Sequence, residues 1–142
     1  MFRKGRIAIV MLLAGSLVPL PAAEQKTVHA WEVFELAMTA RNALSNGYAD
    51  GLPDNGVPYA RVVFIGTSGE ATGKKYVMPA FWDGGQNWKV RFAPPAAGEW
   101  TYRSESADPG LQGVTGSLQC TAWSEAEKQA NPARRGFVRV AR

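Results

Sequence analysis

The sequence contains few of the residues from which catalytic and metal sites are usually built. Its 142 residues include one cysteine, Cys120, and one histidine, His29. A single cysteine excludes an internal disulfide and any zinc site made of cysteines, and a single histidine leaves too few nitrogen ligands for a transition metal. There is no glycine-rich phosphate loop and no nucleophile elbow. We therefore predict no cofactor and no bound metal.

Glycine and proline, in contrast, are frequent. The chain has 15 glycines and 9 prolines, and 46% of its residues are hydrophobic. Such a composition favours many short elements joined by tight turns and argues against a helical bundle. The length is that of one domain.

The first 23 residues have the three-part layout of a secretory signal. Arg3, Lys4 and Arg6 precede an apolar run over residues 7–20, and small residues at positions 21–23 precede the polar Glu24. The run is interrupted and is shorter than the roughly 20 residues that cross a bilayer, so a stable membrane anchor is not expected. We predict a signal peptide over residues 1–23 and a secreted or periplasmic domain over residues 24–142.

Removal of the signal would change the charge balance. Three basic residues would leave with it, so that 13 lysines and arginines face 12 acidic residues, a net charge of +1. The remaining basic doublets, at positions 74–75 and 134–135, are too few for the cationic stripe that nucleic-acid binding requires. We expect no nucleic-acid partner.

The middle of the sequence has the pattern of strands and tight turns. Residues 59–65 and 75–82 are rich in β-branched and aromatic side chains, and Pro79 places the second run at a sheet edge or at a bulge. Residues 88–92 alternate between apolar and charged side chains, which predicts one buried and one wet face. Asp83 and Gly84 begin the turn that would join these last two runs into a hairpin.

A corner followed by a strand is predicted next. Gly98 permits a sharp bend, and Trp100 and Tyr102 alternate with polar residues after it. One of these two aromatics would hydrogen-bond back across the turn, as in the tyrosine corner of immunoglobulin-like sandwiches. A further strand over residues 114–123 would bury Cys120 as a small apolar side chain.

Two segments support more than one interpretation. Residues 32–44 carry apolar side chains at helical spacing, yet residues 27–34 resemble a strand, and pairing with a sheet often overrides local propensity. Residues 42–58 form a polar, turn-rich connection that is long enough to be functional or mobile.

The C-terminal region contains a recognisable helix start. Residues 124–127 form a capping box for a short helix that Pro132 must end, and residues 136–140 suggest a last strand. Taken together, the patterns predict an all-β fold: an immunoglobulin-like antiparallel β-sandwich of about seven strands, with one short helix near the C-terminus.

Several short segments, in this order, resemble one family of exported N-terminal domains, the domain of unknown function 5060. They are WEVFE (31–35), PAFWDG (79–84), WKVRFAP (88–94), GEWTY (98–102), GSLQC (116–120) and GFVRV (136–140). The resemblance implies an immunoglobulin-like sandwich, usually followed by a (β/α)-barrel that is similar to glycoside hydrolases. It implies such a barrel as a partner, in cis or encoded nearby, but no catalytic residues for this chain. Residues 46–58 depart from the family's short turn.

Catalysis by this chain alone is not expected. A glycosidase needs two carboxyl groups about 5 to 9.5 Å apart on either side of one bond. Glu32 and Glu35 are the first pair to consider, but residues three apart point to opposite faces of a strand and lie side by side on the solvated face of a helix.

Three aromatic residues are the candidates for stacking on a sugar ring. Trp82 adjoins the hairpin turn, and Tyr48 and Tyr59 lie near the two ends of the long connection. Three functions therefore remain open. The first is a non-catalytic accessory domain that supports the substrate cleft of a carbohydrate-active barrel. The others are a free-standing carbohydrate-binding module, with a polysaccharide as partner, and an extracellular adhesion or scaffold domain.

Overall fold

The computed structural model of the chain describes residues 25–47 and 59–136. The predicted signal peptide, Tyr48 and the predicted strand after Gly136 lie outside these ranges. Within them the chain forms eight strands and one α-helix: β1 (Lys26–His29), β2 (Phe34–Thr39), β3 (Ala60–Gly66), β4 (Lys75–Pro79), β5 (Phe81–Trp82), β6 (Asn87–Phe92), β7 (Gly98–Ser106), β8 (Thr115–Thr121) and α1 (Glu125–Ala130). Two short 3-10 turns cover Gly69–Ala71 and Pro132–Arg135.

The strands form two sheets, which confirms the all-β sandwich. The larger sheet has the order β1-β8-β7-β3-β4 and the smaller sheet the order β2-β6-β5. All neighbouring strands are antiparallel except β1 and β8, which run parallel. The parallel pair differs from the purely antiparallel prediction, because β1 enters the sheet from the N-terminus without a hairpin to reverse it.

The run at residues 75–82 is divided between the two sheets. β4 pairs with β3 in the larger sheet, whereas β5 pairs with β6 in the smaller one. The change of sheet occurs at Ala80, whose N–H donates to the carbonyl of Ala60 at 2.8 Å. Because Pro79 cannot donate to a ladder, it ends β4, and β4 lies at the sheet edge as predicted.

The core lies between the sheets and is largely aromatic. Trp88, Val90 and Phe92 of β6 are all buried, as their alternation predicted. The ring of Phe92 stacks on Phe64 with centroids 4.1 Å apart and meets Trp100 edge-on at 5.2 Å. Such aromatic contacts add to the stabilisation from apolar burial.

The ambiguous segment after residue 32 is a strand over part of its length. Residues 34–39 form β2, in which Phe34 lies opposite Phe92 and Met38 opposite Trp88. The helical interpretation is therefore wrong for β2. Pairing with β6 buries Phe34 and Met38, and an isolated helix of this length gains no comparable burial.

The short helix near the C-terminus is confirmed, with its capping box. The hydroxyl of Ser124 accepts from the N–H of Glu127 at 3.3 Å, and the carboxylate of Glu127 accepts from the N–H of Ser124 at 2.9 Å. The helix ends before Pro132, as expected. Over residues 25–47 and 59–136, no helix is long and apolar enough to span a membrane.

Candidate functional site

The corner residues named from the sequence lie at the start of β7. Gly98 has a φ of 137°, and a side-chain carbon at this position would lie 2.0 Å from the carbonyl oxygen of Ser68, so only glycine fits. Trp100 is fully buried, and its Nε1–H donates to the carbonyl of Ala96 at 3.1 Å, four residues back across the turn. Tyr102 instead packs its ring against Phe64, with centroids 5.7 Å apart.

The hairpin residues form a tight turn between β5 and β6. The N–H of Asp83 donates to the carbonyl of Asn87 at 2.8 Å, and Gly84 adopts a φ of 98° that favours glycine. The carboxylate of Asp83 also lies 2.8 Å from the ammonium of Lys89. Asp83 therefore begins the turn and also joins the charged outer face of the smaller sheet.

That outer face carries a network of ion pairs around Glu35. Its carboxylate accepts from Arg91 at 2.9 Å and lies 3.3 Å from the ammonium of Lys89. The hydrogen bond from Arg91, followed by that from Lys89, lowers the pKa of Glu35 below its usual value. A carboxyl group that stays ionised in this way is unsuited to act as a general acid near neutral pH.

Glu32 is engaged separately from Glu35. Its carboxylate accepts from the backbone N–H of His29 at 2.8 Å, and this bond is the main cause that lowers the pKa of Glu32. Each carboxylate is thus bound to its own cationic or backbone donors. Within the described ranges, no group of three histidine, cysteine, aspartate or glutamate side chains is placed to hold a metal ion.

The aromatic candidates that the structure describes both contact the protein itself. The ring of Tyr59 stacks on Trp88 with centroids 4.8 Å apart, and its hydroxyl lies 3.4 Å from the carboxylate of Asp108. The Nε1–H of Trp82 donates to the carbonyl of Gly85 at 2.9 Å. The backbone of Gly47 lies directly against the same indole. A side-chain carbon at position 47 would be only 2.3 Å from Cγ of Trp82.

Sequence reasoning missed an apolar surface on the outer face of the larger sheet. Val63 of β3 and Val77 of β4 lie opposite each other, and Ile65 lies two residues further along β3. Val77 is 50% exposed and Ile65 is 43% exposed. We call these three residues the outer apolar patch. The sequence pattern that could have predicted this patch is the uninterrupted apolar run at residues 62–65. In a strand, such a run makes both faces of β3 apolar instead of one.

A second apolar surface lies on the opposite face of β4, at the open side of the sandwich. It is a groove of about 250 Å³, which we call the Trp31 groove. Its lining residues are Trp31, Tyr76, Met78, Phe92, Ala93 and Pro95. Trp31 has a φ of 68°, unusual for a residue with a side chain, and its N–H donates to the carbonyl of Pro94 at 2.9 Å.

Comparison with known families gives one match. The pattern of the domain of unknown function DUF5060 matches residues 27–107, more than half of the chain. The chain belongs to the DUF5060 family. The match includes β2 to β7, and therefore both apolar surfaces of β4 and the corner at Gly98.

Among solved structures, one that matches has a similar fold over most of this DUF5060 chain. It is a crystal structure from Bacteroides vulgatus described as a "putative glycoside hydrolase", with 24% sequence identity and a TM-score of 0.50. The similarity covers 71% of the DUF5060 chain but only 17% of that larger protein. No curated protein matches the chain.

Proposed function

We propose that this DUF5060 chain is an exported, non-catalytic accessory domain that packs against a glycoside-hydrolase-like barrel and supports its substrate cleft. The observation that carries the proposal is the outer apolar patch, which is exposed on a sheet face and reaches the edge strand β4. The fold shared with one part of a larger "putative glycoside hydrolase" supports this choice of partner.

The composition of the outer apolar patch is that of a docking surface. Val63 and Ile65 line a shallow hollow together with the charged side chains of Lys75, Arg103 and Glu105, and Val77 lies opposite Val63 on the neighbouring strand. An apolar centre with a polar rim is the usual anatomy of a protein interface. Isolated exposed apolar residues need no explanation, but neighbouring ones on one face mark an interaction site.

The electrostatics of Glu32 and Glu35 support a non-catalytic role. The pKa values of Glu32 and Glu35 are both lowered by their hydrogen-bond donors. Inverting and retaining glycosidases each need one carboxyl group whose pKa is raised, so that it can protonate the leaving group. Neither glutamate has the environment for that role.

Replacing Val77 with lysine should strongly reduce capture of the barrel partner. The tagged chain is incubated with the exported protein fraction of its source organism, and retained proteins are identified by mass spectrometry. We expect a protein with a glycoside-hydrolase-like barrel to be retained and Val77→Lys to reduce its recovery about tenfold or more, because an ammonium group would be buried in the interface. Thr39→Lys, an exposed position of the smaller sheet, is the charge-matched control.

Three results of this capture would contradict the proposal. These are retention of no barrel protein, equal recovery with Val77→Lys and the parent chain, and equal loss with Thr39→Lys. Retention of an unrelated surface protein in its place would favour the adhesion or scaffold alternative.

The carbohydrate-binding alternative predicts a different behaviour. Electrophoresis of the purified chain through gels that contain plant, algal or microbial polysaccharides tests it directly. We expect unchanged mobility, since the indole N–H of Trp82 and one side of its ring are already engaged by Gly85 and Gly47. Retardation that disappears in Trp82→Ala or Tyr59→Ala would instead establish a sugar-binding site at these rings.

A further inference from the structure

One side of β4 pairs with no other strand in the part of the chain that the structure describes. On its other side β4 pairs with β3, and in that ladder the N–H of Ala80 donates to the carbonyl of Ala60. Hydrogen-bonded pairs alternate with non-bonded pairs in an antiparallel ladder. Lys75 and Val77 therefore turn their backbone N–H and C=O groups away from β3. We call this side the free edge of β4.

Large hydrophobic side chains are exposed around the free edge. Val77 is 50% exposed and Tyr76 38% exposed, and Ile65 of the neighbouring strand is 43% exposed. Val77 lies on the outer face of the sheet, whereas the ring of Tyr76 lies on the inner side, 5.7 Å from the ring of Phe92. The centre of β4 is thus apolar on both faces, which favours pairing with a further strand.

The sequence of β4 is complementary to itself when two copies run antiparallel about Val77. In that register the N–H and C=O groups of Val77 pair with those of Val77 in the second copy, and Lys75 lies opposite Pro79. The N–H of Lys75 then donates to the carbonyl of Pro79, whose own nitrogen has no hydrogen to donate. Both N–H donors on the free edge therefore gain an acceptor.

The side chains fit the same register. The two Lys75 side chains lie at opposite ends of the pairing, so no like charges face each other. Tyr76 lies opposite Met78 of the second copy, and a thioether packs favourably against an aromatic ring. Lysine and proline often protect edge strands from indiscriminate pairing. Because Lys75 and Pro79 stand at the two ends of β4, they restrict pairing to the register centred on Val77.

We propose that two copies of the chain associate through the free edge of β4, antiparallel about Val77, so that their two five-stranded sheets form one continuous sheet. A strand of identical sequence satisfies both backbone donors and keeps the charges apart. The interface is short, so we expect a weak dimer, with a dissociation constant of about 10 μM to 1 mM. The dimer uses the edge of the sheet, whereas the barrel would dock on its face, and neither depends on the other.

Disulfide trapping in the purified chain tests the register. Val77→Cys places two thiols opposite each other, with Cα atoms about 5.5 Å apart, which suits a disulfide. Val33→Cys is the matched control, because Val33 is 58% exposed and lies outside β4. The native Cys120 is buried, and burial raises its pKa to about 11, so it does not compete. We expect Val77→Cys to form disulfide-linked dimers about tenfold faster than Val33→Cys.

Sedimentation of the parent chain and of Val77→Pro over a range of concentrations tests the backbone pairing. Proline at position 77 removes the two central hydrogen bonds between the copies but none to β3, and an edge strand tolerates proline where its N–H points outward. We expect the parent chain to approach twice the monomer mass as its concentration rises. Val77→Pro should remain monomeric with an unchanged circular dichroism spectrum.

Four results would overturn the proposal. The first three are a parent chain that stays monomeric up to about 1 mM, equal disulfide formation at positions 77 and 33, and a folded Val77→Pro that dimerises like the parent. The fourth is a dimer that Val77→Lys disrupts and Val77→Pro does not, which would place the contact on the outer apolar patch. Because no barrel protein is present, none of these results decides the capture experiment.

Discussion

Replacing Asp108 with alanine should lower the free energy of unfolding by about 3 kcal/mol, because the change removes a buried carboxylate and leaves several partly buried backbone donors without partners. Asp108 is 3% exposed. Its Oδ1 accepts from the N–H of Arg41 at 2.8 Å and from the N–H of Gly110 at 2.7 Å, so that it joins the segment after β2 to the turn after β7. Urea unfolding followed by tryptophan fluorescence measures the loss.

The effect of Asp108 should also depend on pH in a defined direction. Burial alone would raise the pKa of Asp108, but the backbone donors of Arg41, Gly110 and Asn42 outweigh it, and the folded-state pKa is lowered. Ionised Asp108 therefore stabilises the folded state at pH values above its unfolded-state pKa of about 4. This stabilisation is lost as the pH falls through the folded-state pKa.

Asp108→Asn is the matched control for this pH dependence. The amide retains one acceptor oxygen of similar shape but carries no charge. We expect it to be less destabilising than Asp108→Ala and to flatten the loss of stability in the acid range. An alanine variant as stable as the parent chain, or an asparagine variant with an unchanged acid profile, would show that Asp108 does not hold these two segments together.

Replacing Trp100 with alanine should lower the free energy of unfolding by about 4 kcal/mol, since large-to-small changes in a core lose apolar burial and leave a cavity. Trp100 is fully buried, contacts the ring of Phe92, and packs against Tyr76 with centroids 5.9 Å apart. The variant also loses the hydrogen bond to Ala96. Thermal and urea denaturation followed by circular dichroism both report this change.

Trp100→Phe is the intermediate case. It retains one aromatic ring in the core but loses the second ring of the indole and the hydrogen bond from Nε1, so we expect a smaller loss than with alanine. If Trp100→Ala and Trp100→Phe were equally stable, packing at this corner would not be the main contribution of Trp100. If both matched the parent chain, the corner would not stabilise the fold at all.

The elements that could be predicted from the sequence are those whose signals are local. The alternation in β6, the turn at Asp83 and the capping box at Ser124 each involve residues within a few positions of one another. The corner has a local signal as well, because Trp100 bonds to a carbonyl only four residues back. Such signals do not depend on the rest of the fold.

The remaining features depend on pairing between distant segments. β2 is a strand because β6 lies beside it, about fifty residues further along the chain, and nothing within residues 32–44 specifies that partner. Residues 75–82 are divided between the two sheets because the first part, β4, pairs with β3 and the second part, β5, pairs with β6. The exposure of Val77 and Ile65 likewise depends on which face of the larger sheet is turned away from the smaller sheet. Periodicity along one segment contains none of this information.

Photo-crosslinking from position 77 tests the proposed accessory role most directly. A benzophenone amino acid replaces Val77 in the outer apolar patch, and a second variant carries it at Thr39 on the other sheet. After irradiation with the exported protein fraction, we expect crosslinked peptides from a glycoside-hydrolase-like barrel with position 77 and none with position 39. Equal crosslinking from both positions, or no barrel peptides from position 77, would contradict this role.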